Sequence, residues 1–360
     1  MVLGKRYTPQ ETNYNRFPKQ DVAGSSPVYR SIFNLRGLTG VLRNVTQIPA
    51  VSAEQMPSKT RQDNHLQPNT RLAYAGGVTR RSFGMCVMGP VSTPGKNAGR
   101  RILVHGHRGA RAVRPENTMV AFKYAIDAGA DAIELDLAVT RDNVVVVSHD
   151  PVLHLPVCTG PRPEATIRQL ELAEVRQWDC GAKPNPEFPR QRLAPGSRIP
   201  TLDEVLDLAP RGHFDFNLEA KIYPDRPELT PSPEEFARLV VESVRRRGLE
   251  ERAILQSFDF RVLRAMMALD PEIRRAGLHH GPARDFREIA KEAGAGIVAP
   301  EKALITEARV RAAREAGLQV IPWTANTPEE WDRLAAAGVD AIITDDPAAL
   351  LGFLRERGLH

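Results

Sequence analysis

From residue 101 onward the apolar positions follow two alternating patterns. Short apolar runs at 102–105, 132–136, 214–219, 253–256, 273–278, 296–299, 319–323 and 341–344 read as strands. Between them, 117–128, 233–246, 284–293, 307–316 and 328–337 carry apolar residues at three- and four-residue spacing, the mark of helices with one buried face. Glycines 129, 248, 294, 317 and 338 follow these helices where a C-cap is expected. Strands alternating with helices in this way predict an α/β fold, a parallel (β/α)8 TIM barrel. One run, 144–148, is extra. It follows the strand at 132–137 after Thr140-Arg141-Asp142-Asn143, a tight-turn signal, so it predicts an antiparallel β-hairpin extension above the barrel. The stretch 154–200 is rich in Pro and Arg and predicts little regular structure. It is placed over the barrel mouth.

The first hundred residues read differently. They are rich in Arg, Asn, Gln, Ser, Thr and Pro, with a short helix over 31–41 at best, and are expected to form a basic, disordered extension. Two sharper readings compete with that one. Thr79-Arg80-Arg81-Ser82-Phe83 resembles the start of a twin-arginine export signal, although the apolar stretch after it is short and broken by Pro90. Met85 or Met88 could instead be the natural start of the protein. The expected domains are therefore 1–100, an extension, and 101–357, the barrel.

Charge follows the same division. Residues 1–100 hold 14 Lys and Arg against 4 Asp and Glu, whereas 101–360 hold 35 against 40. The overall +5 thus belongs to the extension, and the barrel is not expected to bind nucleic acid. No run of about 18 apolar residues occurs, so no transmembrane segment is expected. Cys86, Cys158 and Cys180 are widely spaced, suggesting neither a metal motif nor a disulfide framework. They fit a reduced compartment, and a cytoplasmic location is expected, with export as the alternative.

The chemistry is concentrated between residues 107 and 150. His107-Arg108-Gly109, Pro115-Glu116-Asn117-Thr118, Glu134-Leu135-Asp136 and His149-Asp150 fall within 44 residues. They combine imidazoles, a guanidinium and a carboxylate pair, a set suited to breaking a phosphate ester on a metal ion. Glu134 and Asp136 lie two apart on a strand and therefore share a face. A turn centred on Asp142-Asn143 puts His149 opposite Asp136, and one centred on Arg141-Asp142 puts it opposite Glu134. Either register brings the imidazole beside the carboxylates. His107, Glu134, Asp136, Glu219, Gln256, Trp323 and Asp345 fall at or just past the C-terminal ends of predicted strands, the face that carries the active site in this fold.

These clusters, with Asn217-Leu-Glu219-Ala-Lys221, Gln256-Ser257-Phe258, Trp323-Thr324-Ala325-Asn326 and Gly338-Val-Asp-Ala-Ile-Ile-Thr-Asp345, resemble the glycerophosphodiester phosphodiesterase family over roughly residues 101–355. Asn143 replaces the usual glycine of that family's hairpin turn, a position at positive φ that Asn tolerates. The resemblance implies metal-dependent hydrolysis of glycerophosphodiesters to sn-glycerol 3-phosphate and an alcohol. Glu134, Asp136 and Glu219 are the expected metal ligands. Three carboxylates without a thiol favour Ca²⁺ or Mg²⁺ over Zn²⁺. His107 and His149 are the expected proton-transfer pair, and Arg108 and Lys221 the expected phosphate clamps. Glu116 is expected at the site, Asn117 as helix N-cap or substrate contact, and Trp323 as an aromatic wall or a core residue. His105, His154, His213, His279 and His280 are read as structural. Attack by the neighbouring glycerol hydroxyl, giving a cyclic phosphate, is implied by the family; direct attack by water is the other open route. A lysophospholipid phosphodiesterase on the same barrel is the main alternative. A barrel that only binds phosphodiesters is disfavoured, because His107, His149, Glu134, Asp136 and Glu219 are all present.

Overall fold

The computed structural model describes residues 100–360. The expectations for the extension, the 31–41 helix, the twin-arginine pair and the alternative starts lie outside these residues. The first half of the described chain contains β1 (Leu103–Gly106), α1 (Met119–Ala128), β2 (Ala132–Val139), β3 (Val145–Val147), β4 (Val152–His154), β5 (Glu164–Thr166), α2 (Leu172–Val175), α3 (Leu202–Leu206) and β6 (Asp215–Ala220). Then come α4 (Pro233–Arg245), β7 (Ala253–Ser257), α5 (Phe260–Leu269), β8 (Arg274–His279), α6 (Phe286–Ala293), β9 (Ile297–Pro300), α7 (Glu307–Glu315), β10 (Gln319–Val320), α8 (Pro328–Ala337), β11 (Ala341–Thr344) and α9 (Pro347–Glu356).

Eight parallel strands run in the order β10-β9-β8-β7-β6-β2-β1-β11, which is the predicted TIM barrel. Its closure is made by Asp340 N donating to Val320 O at 3.0 Å and Ile343 N to Pro322 O at 3.0 Å. β10 is shorter than the predicted 319–323 because Pro322 has no N–H to offer the ladder. Inside the barrel, Ile254, Ala276, Leu278, Ile297, Ala299, Ile321, Ala341 and Ile343 form one apolar plug. The opposite faces of the strands, including Ile133, Leu135, Phe216 and Leu218, pack against the helices. Each such side chain contributes roughly 1.5–3 kcal/mol by leaving water. The barrel's upper end, above the plug, is where polar side chains can gather.

The hairpin forms, but in neither of the two expected registers. Leu137 pairs with Val147 and Val139 with Val145, leaving a three-residue loop, 141–143, with Asn143 at φ 61°. That odd loop sets Asp136 beside Ser148, whose N–H donates to the Asp136 carbonyl at 2.9 Å. His149 therefore lies just past the paired strand. Asn117 is not the cap of α1. Thr118 takes that place, accepting from Ala121 N, and Asn117 sits at φ 54°.

Residues 151–200 are more ordered than their composition suggested. The β4–β5 hairpin and α2 enclose a separate core of Leu153, Ile167, Leu170, Val175, Trp178 and Ile199 against Val146 of β3. Cys158 and Cys180 form a buried disulfide within it, which corrects the expectation of unpaired thiols. The two cysteines flank an antiparallel bridge in which Thr159 and Asp179 exchange backbone hydrogen bonds of 2.9 and 2.8 Å. Spacing along the chain gave no sign of this pairing. A Cys158→Ser, Cys180→Ser variant is expected to destabilise this 151–200 segment, which forms a cap on the barrel, by about 3 kcal/mol, the value for closing a loop of this order. Limited proteolysis should show faster cleavage within 151–200 and an unchanged barrel core.

Candidate active site

β1 ends in a turn that only special backbone geometry allows. Arg108 and Gly109 adopt φ 48° and 83° in succession. A Cβ on Gly109 would lie 2.7 Å from the Ala121 backbone, so the close approach of α1 requires glycine. The turn aims the Arg108 N–H at Glu134 Oε2, 2.9 Å away. It also sends the Arg108 side chain to Glu116 Oε1 at 2.6 Å and Asp136 Oδ2 at 3.2 Å.

The neighbouring strands supply the carboxylates. β2 and β6 pair with Asp136 opposite Glu219 and Glu134 opposite Asn217. Residues paired in a parallel ladder point the same way, so the acids converge on the barrel mouth. Oxygens of Glu134, Asp136 and Glu219 lie within 4.8 Å of one another, and all three side chains are buried. Gln256 Nε2 donates to Glu134 Oε1 at 3.0 Å, and Asn117 Nδ2 to Asp136 Oδ2 at 2.9 Å. Lys221 Nζ stands between Asp136 Oδ1 (3.1 Å) and Glu219 Oε1 (2.6 Å).

Charge at this cluster is unbalanced. Three buried carboxylates share two cations, and Glu116 also draws on Arg108. Burial, then the charges of Asp136 and Glu219, hold the Glu134 carboxyl well above its ordinary range. Burial, with Asp136 adding, raises Glu219 despite Lys221. Asp136 is pulled well down, because Lys221 and Arg108 outweigh its burial. A divalent cation would relieve this crowding, and an all-oxygen donor set suits Ca²⁺ or Mg²⁺.

Both proposed proton-transfer histidines are anchored through Nδ1. His107 Nδ1 lies 2.6 Å from Asp345 Oδ1, and its Nε2 lies 4.0 Å from Glu134 Oε2. His149 Nδ1 lies 2.8 Å from Asp150 Oδ1. A carboxylate on Nδ1 fixes tautomer and ring direction and leaves Nε2 for chemistry. Burial, with Arg111 beside it, lowers His107 to about 4. Burial, then Arg108 and Lys221, lowers His149. Asp345 is itself held by Arg111 Nε at 2.8 Å and Asn326 Nδ2 at 2.7 Å.

The structure thus brings together His107, Arg108, Glu116, Glu134, Asp136, Glu219 and Lys221, with His149 beside them on the hairpin. Trp323 stands at the top of the barrel plug, half-buried, donating Nε1 to Ala299 O at 2.8 Å and meeting Phe258 edge-on. Arg111, Asp150 and Asn326 had no sequence-based role, and Asp345 and Gln256 were placed at the mouth without one. An acid ending a strand signals Asp345, but nothing local links Arg111 to a partner 234 residues away.

Residues 107–349 match the model of the glycerophosphoryl diester phosphodiesterase family. The chain belongs to this family. Among its relatives, a glycerophosphodiester phosphodiesterase of Caldanaerobacter subterraneus subsp. tengcongensis is 33% identical, over 72% of this chain and 100% of that protein. A crystal structure from Silicibacter pomeroyi DSS-3, provisionally assigned as a glycerophosphoryl diester phosphodiesterase, aligns with a TM-score of 0.68 at 31% identity, covering 72% of this chain and 95% of the other. The glycerophosphodiester phosphodiesterase of Thermotoga maritima aligns at 0.53 and 26%, covering 70% and 98%.

The charge imbalance has a measurable sign. Raised carboxyls bind protons more tightly in the folded state, so they favour folding at pH below about 4.5 and cost stability as pH rises through their folded values. Metal-free protein carrying Glu134→Gln should therefore unfold at a higher temperature than wild type at pH 7.5. Ca²⁺ should raise the unfolding temperature of wild type and do so far less for the variant. Thermal unfolding with and without chelator checks both.

Proposed function

We propose that this chain is a divalent-cation-dependent hydrolase that cleaves glycerophosphodiesters to sn-glycerol 3-phosphate and an alcohol. The supporting observation is the buried Glu134–Asp136–Glu219 cluster with the Nε2 of a carboxylate-anchored imidazole 4.0 Å from it. Its family membership and the names of its relatives point the same way. Glu134, Asp136 and Glu219 would hold Ca²⁺ or Mg²⁺, which when bound supplies positive charge for the phosphoryl oxygens. Arg108 and Lys221 are pre-set at the same place and would share that charge with the substrate's phosphate. Each already touches Asp136, so phosphate binding exchanges one anionic partner for another.

His107 and His149 would move the protons. One takes the proton of the attacking oxygen and the other protonates the leaving alkoxide. Attack by the neighbouring glycerol hydroxyl and attack by water both use this pair. Burial lowers the proton affinity of both rings, which suits the one that acts as base; the one that protonates the alkoxide must enter the step as an imidazolium, a form that the negative charge of a bound phosphate favours. Glu116 keeps Arg108 in place, and Trp323 offers an aromatic wall to the glycerol or alcohol. The cap borders a small recess beside His149, lined by Asp150, Val152, Val157 and the Cys158–Cys180 pair. A disulfide there favours an oxidising location over the cytoplasm. No helix among the described residues is long and apolar enough to cross a membrane.

Released glycerol 3-phosphate is the readout. Wild type with Ca²⁺ or Mg²⁺ should release it from glycerophosphocholine, and excess chelator should stop release. His107→Ala and His149→Ala should each lower kcat by about 10²–10⁴-fold while leaving folding and cation binding largely intact. Activity near wild type in either variant removes the proton-transfer assignment. Turnover of lysophosphatidylcholine but not of glycerophosphocholine would transfer the reading to a lipid phosphodiesterase.

A further inference from the structure

Asp150 does more than anchor His149. Its Oδ1 lies 2.8 Å from His149 Nδ1, and its Oδ2 lies 3.4 Å from His154 Nε2. The other nitrogen of His154, Nδ1, lies 2.6 Å from the Leu155 carbonyl. Both His154 nitrogens therefore face acceptors. A neutral imidazole carries one N–H, so only the imidazolium donates to both.

We infer that His154 is a positioning residue for His149: held as an imidazolium at the edge of the cap, it fixes the Asp150 carboxylate and through it the orientation and proton affinity of His149. This rests on the assignment of His149 as a proton-transfer group. An imidazolium on one oxygen of Asp150 leaves the other oxygen to accept Nδ1–H from His149, which keeps His149 Nε2 unprotonated and aimed away from Asp150. It also offsets part of the Asp150 charge that would otherwise favour protonation of His149.

The surrounding charges are consistent with that division. The hydrogen bond to Asp150 raises His154 to about 9, with Glu164 on β5 adding to it against partial burial. Asp150 is pulled far below its ordinary range, since its bonds to both histidines outweigh burial. Around His149, Arg108 and Lys221 disfavour protonation while Asp136 and Asp150 favour it. Glu116 lies close enough to feel its charge, and the Tyr223 hydroxyl donates to its carbonyl at 3.4 Å.

The scaffold behind His154 is the cap. His154 pairs with Glu164 across the β4–β5 hairpin, and its carbonyl accepts from Cys158 N at 2.9 Å. Cys158 is held by Cys180. The disulfide-closed core therefore sets the residue that sets Asp150, and a segment outside the barrel reaches the reacting groups through one carboxylate.

The test is histidine ¹⁵N NMR of the full chain with pH titration, alongside kcat and KM. Wild-type His154 is expected to remain an imidazolium at pH 7.5. In His154→Ala, the apparent pKa of His149 should rise by about one unit and kcat should fall about tenfold, with KM and unfolding temperature unchanged. His154→Gln, which keeps one donor toward Asp150, should recover part of kcat but not the pKa. A neutral His154 at pH 7.5, or an unmoved His149 titration in His154→Ala, overturns the inference. Full activity of His149→Ala would instead overturn the proton-transfer role itself, while the NMR titrations would still decide whether His154 and His149 are linked.

Discussion

Mutual repulsion among three buried carboxylates is the constraint around which this protein is organised. Separated from water and from one another's counter-charges, Glu134, Asp136 and Glu219 would each drift toward the neutral acid. They stay together because the barrel gives them no choice. Parallel pairing of β2 with β6 fixes Asp136 beside Glu219, and the two-residue repeat of β2 puts Glu134 on the same side. Apolar packing on the outer faces of those strands supplies the energy that opposes the repulsion. What surrounds the trio follows from it: Arg108 and Lys221 lean inward, and Gln256 and Asn117 spend amide N–H groups on it.

The proposed catalytic arrangement is built on the same logic of paired opposites. Each proposed proton-transfer imidazole has an acid behind it, Asp345 for His107 and Asp150 for His149. The acids in turn have partners from distant parts of the chain: Arg111 and Asn326 for the first, His154 for the second. Proton affinity at the mouth is therefore set by burial first and then by layers of alternating charge, not by any one neighbour. The barrel rim provides the first of these layers, and the cap completes the second.

Much of this was legible in the residues themselves. Strand and helix periodicities recovered the barrel because buried strands and amphipathic helices must show those patterns, and strand-end positions marked His107, Glu134, Asp136 and Glu219 because the fold exposes that end. Three things were hidden, each for a physical reason. The hairpin register depended on a three-residue loop whose αL position Asn143 fills, and turn residues alone allow several loop lengths. Asn117 resembles an N-cap, yet Thr118 next to it caps equally well and frees Asn117 for Asp136. Cys158 and Cys180 meet only because the cap folds around Trp178, a tertiary event with no local signal.

The central claim, that the carboxylate cluster is a cation site on which the reaction depends, is tested most directly by anomalous diffraction from crystals soaked in Mn²⁺. A single strong peak within coordinating distance of Glu134, Asp136 and Glu219, absent from Asp136→Asn crystals, is the predicted result. Manganese bound elsewhere at the mouth, or none bound while chelator-treated protein still turns over substrate, would contradict the account.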